Sequence, residues 1–379
     1  MSVQKKIIIS SAVPLNNGDA ALVFSLADAL SGIGFQISFS TYHYALVKSI
    51  YHDRHFIKEI TDFTLFRKLP QIKKIAVRSL FGFKRAYRNA DAFIAAPGGY
   101  LNDYYGFAHT LELLRKAKLS GKKTGIYAQS VGPVGAKSIS LLLYYQQFID
   151  LLLVRDIKSA ELLREIGYNQ EKFLIVEDGA FLLKPYSMPK QKTLHAAISV
   201  RAWKHDNRNS KKYISLIIGL VTKLVENGYQ ITFLSTCQGL EKYTNDALMA
   251  QQIVEQMPEA IKSSCTVDAA FYPFEAFRER LNDFNLVVGT RLHMCILSLL
   301  AHVPAFNISY EFKGRECYQY LDVPELSCDY NAIPEEAVAQ LEHLLAHLPS
   351  YRKKLKEQTR MLHKNSHKHL DVFIEMLGL

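Results

Sequence analysis

The feature that most constrains this chain is a repeated alternation of short β-branched runs with longer stretches of helical periodicity. Strand-like runs are KIIISSA, FQISFST, AFIAAP, TGIYAQSVG, LLLVRD and FLIVEDG in the first half, then LHAAISVR, QITFLST, NLVVGTR and PAFNISY in the second. Between them lie helix-like stretches such as DAALVFSLADALSGIG, which closes on glycines as a helix C-terminus does. Strand and helix in alternation predict an α/β chain with parallel sheets covered by helices on both faces. A chain of 379 residues exceeds what one core usually holds. The polar, proline-bearing stretch LKPYSMPKQKTLH is the linker candidate. The expected organisation is an α/β domain over 1–187, a second over 188–345, and a basic C-terminal helix over 346–379 that packs back across both.

Apolar residues make up 49% of the chain and charged residues 22%, which describes a soluble globular protein. No apolar run reaches the roughly 18 residues of a membrane span. Two lysines precede the first apolar run, but that run is short and reads as a strand rather than as a signal peptide. The five cysteines, Cys237, Cys265, Cys295, Cys317 and Cys328, are scattered and never form CxxC, so free thiols in a cytoplasmic protein are expected. The net charge of +10 is unevenly spread: between Phe63 and Ala90 there are eight Lys or Arg and no acid, and YRKKLKEQTRMLHKNSHKHL near the C-terminus is also basic. Such patches suit a phospholipid surface or a pyrophosphate-linked substrate, and equally a solvated helix face. No nucleic-acid-binding motif accompanies the charge. The inner face of the cell membrane is therefore a candidate location.

In parallel sheets ligands bind outside the carboxyl ends of the strands, where loops and helix N-termini gather. Arg155 ends LLLVRD, Arg201 ends AAISVR and Arg291 ends LVVGTR, with His293 two residues on and Lys313 after the next strand. A single strand-end arginine is most often a structural ion pair. Three, with His293 and Lys313 beside one of them, point to a ligand with more than one negative charge.

Glycine-bearing turns mark the same rim. Asn16-Asn17-Gly18-Asp19 follows the first strand and opens a helix, so its amides could hold an anion and Asp19 could accept from a sugar hydroxyl; a simple N-cap explains it as well. Pro97-Gly98-Gly99, with Asn102 and Asp103 behind it, and Ser130-Val131-Gly132-Pro133 stand after strands in the same way. Asn17, Gly18, Gly98, Gly99, Asn102, Ser130 and Arg155 are accordingly candidates for acceptor or anion binding.

Other motifs fail. SVGPVGAKS has the wrong spacing for a phosphate-binding loop, Gly32 and Gly34 lack a third glycine and follow a helix, and neither DxD nor GxSxG occurs. His363 and His367 are four apart without an HExxH around them. No metal site is expected.

The combination of NNGDAAL, APGGYLND, YAQSVGPV, VRDIKSAELL and GTRLHMCILSLLAHVPAFNISYEFK resembles the polysaccharide pyruvyl transferase family, in order and spacing over roughly residues 7 to 325. The RLH segment with its downstream lysine is the most specific piece. The resemblance implies a GT-B-like fold, two Rossmann-type domains with parallel sheets facing a central cleft, the first on the acceptor side and the second on the donor side. It also implies transfer of pyruvate from phosphoenolpyruvate onto two hydroxyls of a sugar as a cyclic ketal. Phosphoenolpyruvate is then a co-substrate, no cofactor is needed, and a lipid-linked oligosaccharide is the expected acceptor.

The residues fit such a donor. Phosphoenolpyruvate carries a carboxylate and a phosphate, so fixed cations are needed: Arg201 and Arg291 as clamp, Lys313 as a further point charge. His293 is the expected general acid or base, because histidine ordinarily titrates near neutrality, and Asp19 is the second candidate. Two other classes share these features, a GT-B glycosyltransferase using a nucleotide sugar and a carbohydrate-binding protein without catalysis.

Overall fold

The computed structural model of the chain describes residues 4–60, 73–186, 193–203, 208–241 and 243–379. The first sheet contains β1 (Lys6–Ser10), β2 (Gln36–Thr41), β3 (Phe56–Lys58), β4 (Ala92–Ala95), β5 (Gly98–Leu101), β6 (Lys123–Val131), β7 (Leu151–Val154) and β8 (Phe173–Ile175). The second contains β9 (His195–Ser199), β10 (Gln230–Phe233), β11 (Cys265–Val267), β12 (Leu286–Gly289), β13 (Ala305–Ser309) and β14 (Ser327–Asp329). Strands covered by helices on both faces must be apolar nearly throughout, and AFIA of β4, LLLV of β7 and LVVG of β12 are buried at every position. All ten expected runs are strands.

Both sheets are parallel. The first runs β3-β2-β1-β4-β6-β7-β8, with β5 pairing β6, and the second runs β11-β10-β9-β12-β13-β14. In the first, Ile7 stands between Ile37 and Ala92; in the second, Ala197 stands between Thr232 and Val287. The order reverses at β1/β4 and at β9/β12. Such reversals open a crevice at the carboxyl ends of the strands, because successive crossover helices go to opposite faces.

The chain forms two compact units, one of Met1–Pro14, Leu22–Leu182 and Lys364–Leu379, the other of Leu15–Ala21 and Leu183–His363. The second unit takes up the chain at Leu183 rather than at 188, and the reason is local: Tyr186 donates from its amide to the Leu300 carbonyl at 2.8 Å and from its hydroxyl to the Arg278 carbonyl at 2.7 Å. Residues 187–192 of the linker candidate lie outside the described residues, as do residues 63–72 of the basic segment.

The helix expected over 346–379 is Leu348–Leu377, counted with the second unit up to His363 and with the first from Lys364. Near its start Tyr351 donates to Glu325 at 2.9 Å and Arg352 to the Asn285 carbonyl at 3.2 Å. Near its end Phe373 lies edge-on to Tyr127 at 5.3 Å, over Gly125 of β6, where a Cβ would meet the Phe373 ring at 2.5 Å.

Candidate functional site

At the reversal of the second sheet, β9 runs out into Val200, Arg201, Ala202 and Trp203, and β12 into Thr290, Arg291, Leu292 and His293. Gly289 ends β12 because the helix Leu292–Leu300 returns so closely that a Cβ there would meet the Cys295 sulfur at 2.5 Å. That tight turn sets Arg291 at the N-cap and His293 in the first helical turn, beside backbone amides that have no helical partner.

Arg291 is not an open cation. Its Nε and one Nη donate to the two oxygens of Asp246 at 2.8 Å each, a two-pronged pair. Asp246 is buried, opens the helix Asp246–Glu255, and also accepts from Ser235 at 2.6 Å. Burial works against the Arg291 charge, but the Asp246 carboxylate outweighs it and holds the guanidinium protonated above its ordinary range. Arg291, expected to grip the donor, has a partner that the sequence does not reveal: its fork faces the Asp246 carboxylate.

Arg201 differs. Its guanidinium carbon lies 4.6 Å from the Trp203 ring centre and 4.5 Å from that of Tyr310, and it donates to the Tyr310 hydroxyl. Among the described residues Arg201 makes no ion pair. Its backbone amide donates to the Tyr213 hydroxyl at 3.2 Å, and Tyr213 stacks flat on Tyr330 at 4.0 Å, so the base of this arginine is rigid. Trp203 and Tyr310 lie against each other at 4.7 Å between ring centres, so the guanidinium sits beside this aromatic pair, with its N–H edge as its means of binding.

Lys313, in the first turn of Phe312–Tyr320, pairs with Glu311 at 2.7 Å and lies 5.8 Å from the Tyr310 ring centre. Burial pulls the Glu311 carboxyl up, yet Lys313, Arg201 and the Tyr310 hydroxyl together outweigh it and leave the group below its ordinary value. Lys313 and Arg201 therefore share one carboxylate neighbour. Sequence reading missed Glu311, although it stands two residues before the lysine.

The segment Leu15–Ala21 supplies the other wall. Asn17 donates from its amide to the Thr236 carbonyl at 2.7 Å and from its side chain to the Tyr272 carbonyl at 3.1 Å. Its Oδ1 is buried with no hydrogen-bond partner among the described residues. Asn16 folds back on Asp19, accepting from the Asp19 amide at 2.9 Å and donating to its carboxylate. Gly18 lies against His293: a Cβ at Gly18 would come within 2.8 Å of the imidazole Nδ1. Residue 18 is glycine because His293 occupies the space a side chain would take. One thiol reports on the cluster: burial pushes Cys237 up to about 12, and it feels the charges of Arg291, Asp246, Asp19 and Arg201. The sequence candidates Asp19, Arg201, Arg291 and His293, far apart along the chain, thus belong to one neighbourhood of the second unit.

The remaining candidates lie in the first unit and have internal partners. Arg155 is 4% exposed and donates to Asp178 at 2.7 Å and to the Ser130 hydroxyl at 2.9 Å, while Ser130 donates to Asp156 at 2.7 Å. Arg155 is expected from the sequence to meet an anionic ligand; in the structure its guanidinium faces Asp178, and Ser130 belongs to the same buried network. Asn102 is buried and shapes its own turn, donating to the Gly99 carbonyl at 2.8 Å and accepting from the Tyr104 and Tyr105 amides at 3.0 and 3.2 Å. Gly98 and Gly99, candidates for acceptor or anion binding, begin β5, which pairs with β6.

Known proteins bear on this arrangement. The polysaccharide pyruvyl transferase family matches the chain over residues 16–311. The amylovoran biosynthesis protein AmsJ of Erwinia amylovora is 25% identical over 368 residues, 85% of this chain and 87% of that one. Among solved structures, a glycosyltransferase from Rickettsia africae aligns with a TM-score of 0.64 at 10% identity, covering 99% of both chains. HepE of Anabaena, solved with UDP-glucose, aligns with a TM-score of 0.64 at 9% identity, covering 98% of this chain and 99% of that one. At such identities these structures speak to the fold alone, which is α/β and GT-B-like, with two parallel-sheet units of Rossmann type.

Proposed function

Since the chain belongs to the polysaccharide pyruvyl transferase family, we propose that it moves pyruvate from phosphoenolpyruvate onto two hydroxyls of a sugar, closing a cyclic ketal during exopolysaccharide synthesis. The observation that carries this reading is Arg201, a guanidinium held against the paired rings of Trp203 and Tyr310 at the strand reversal of the second unit. A small ligand with a carboxylate and a phosphate needs such a fixed, two-pronged donor. In this reading Arg201 takes the leading role, with Lys313 beside it, its position set by Glu311. Arg291 acts through Asp246 as a positioning residue.

The chemistry balances without a redox step. A proton goes to the methylene carbon of phosphoenolpyruvate and C2 becomes oxocarbenium-like. One sugar hydroxyl adds to C2 and gives up its proton. The C2–O bond to phosphate breaks, and the neighbouring hydroxyl adds in its place with loss of a second proton. One of the two hydroxyl protons balances the proton delivered to carbon, and the other leaves with phosphate. His293 and Asp19 are the groups proposed to hold these protons, and no cofactor enters.

Incubation with phosphoenolpyruvate and a panel of lipid-linked and model glycosides, with phosphate release and product mass recorded, tests the proposal. The expected product is heavier by one ketal-linked pyruvate, with one phosphate released for each transfer. Nucleotide release from a nucleotide sugar, with phosphoenolpyruvate untouched, would instead make the protein a glycosyltransferase. Sugar binding without turnover of either donor would make it a binding protein.

A further inference from the structure

The segment between β3 and β4 plays no part in the site above, yet it carries the most exposed large apolar side chain among the described residues of the first unit. Val77, Phe81 and Tyr87 are buried in that unit's core, with Phe81 and Tyr87 against Phe93 of β4 at 5.4 and 5.3 Å between ring centres. These anchors fix the phase of the helix Lys73–Leu80 and of the turns after it. Three apolar side chains of the segment nevertheless face solvent: Ile75 is 60% exposed, Leu80 37% and Phe83 80%. Arg85 and Arg88 are exposed in the next turn, and Arg88 donates to the Gly82 carbonyl at 2.8 Å, which braces the loop that presents Phe83. From Lys73 to Arg88 the sequence has six Lys or Arg and no Asp or Glu.

We propose that residues 73–88 form a wedge that docks the protein on an anionic membrane, Phe83, Leu80 and Ile75 entering the leaflet while Arg85 and Arg88 meet headgroup phosphates. The combination selects this partner. A soluble polyanion satisfies cations but offers nothing to an exposed phenylalanine, and an apolar protein patch buries the phenylalanine but leaves the cations unmatched. An anionic leaflet supplies a negative surface and an apolar layer a few ångströms beneath it. No helix among the described residues is long and apolar enough to cross a membrane, so the attachment is peripheral. It would hold the chain beside saccharides carried on lipids, and it stands whether or not pyruvyl transfer is the reaction.

The test is flotation of the full chain with vesicles of phosphatidylcholine alone and of phosphatidylcholine mixed with phosphatidylglycerol. Binding is expected to the mixed vesicles only and to weaken with salt. The double variant Arg85→Glu, Arg88→Glu should lower the partition coefficient by at least roughly 30-fold, at about fivefold for each cation lost. Phe83→Ser should lower it by roughly tenfold, with circular dichroism unchanged because its side chain is outside the core. Absence of co-flotation at low salt overturns the proposal. So does charge-dependent binding that Phe83→Ser leaves intact, which would mark a site for a soluble polyanion.

Discussion

In the first unit the strand-end Arg155 is almost wholly buried and divided between Asp178 and Ser130. In the second unit Arg201 lies against the paired rings of Trp203 and Tyr310. The two look alike in the sequence, each following an apolar run. What separates them is whether a carboxylate pairs with the guanidinium: Asp178 pairs with Arg155 and Asp246 with Arg291, whereas Glu311, the carboxylate near Arg201, pairs with Lys313, and the guanidinium itself meets rings and a phenol. An arginine at a strand end is thus a binding group only where the fold has not already paired it.

The largest effect expected on this contrast is at the chemistry itself. If His293 holds a transferred proton, His293→Ala should lower kcat by about 10²–10⁴-fold, the usual contribution of a general acid or base, with donor affinity nearly unchanged. A raised donor Kd with normal kcat would instead make His293 a binding residue and move the proton to Asp19.

Next is the pair on the other side of the comparison. Arg155→Ala takes the guanidinium away from the buried Asp178 carboxylate and should cost about 3–5 kcal/mol of stability in urea unfolding. The double variant Arg155→Met, Asp178→Asn should recover much of the loss. A folded, stable Arg155→Ala protein that fails to bind phosphoenolpyruvate would break the contrast between the units.

A smaller and more specific effect is expected at Gly18. Its added methyl in Gly18→Ala would press on the imidazole, and a displacement of about 1 Å at a catalytic group can cost up to about 10²-fold in rate. Donor titration should be nearly unaffected. Wild-type turnover in this variant would separate His293 from the reaction.

The smallest effect concerns His369, whose Nδ1 is hydrogen-bonded to the Glu177 carboxylate at 2.7 Å in the first unit. The Glu177 hydrogen bond raises the His369 pKa above its ordinary 6.5, against partial desolvation. A raised folded value means stability present below the ordinary value and lost as pH rises through the folded one. His369→Ala should therefore lower stability near pH 6 and not near pH 8, by less than about 1 kcal/mol because the pair is partly solvated. Equal losses at both pH values would assign the effect to packing.

Much of the fold was legible because strands buried on both faces write themselves as apolar runs, and all ten such runs are strands. Four strands escaped for physical reasons. Phe56–Lys58, Cys265–Val267 and Ser327–Asp329 are three-residue edge strands, too short to show a period, and Gly98–Leu101 reads as a turn because it begins with two glycines. The site was legible as a set of residue types but not as a set of pairs. Arg291 and Asp246 are 45 residues apart, and Arg155 and Asp178 are 23 apart, so their commitment to each other leaves no local pattern. Tyr310 likewise reaches Arg201 only after folding brings the end of β13 near that of β9, although Trp203 stands two residues from it in the sequence.

The central claim is that the second unit binds phosphoenolpyruvate through Arg201, and calorimetric titration with phosphoenolpyruvate tests it most directly. Wild-type protein should bind. Arg201→Ala should lose about 2–5 kcal/mol of affinity, as expected when one partner of a desolvated charge pair is removed. Arg201→Lys should recover only part of it, since an ammonium cannot reproduce the stacked, two-pronged contact. Donor affinity unchanged in Arg201→Ala would contradict the account.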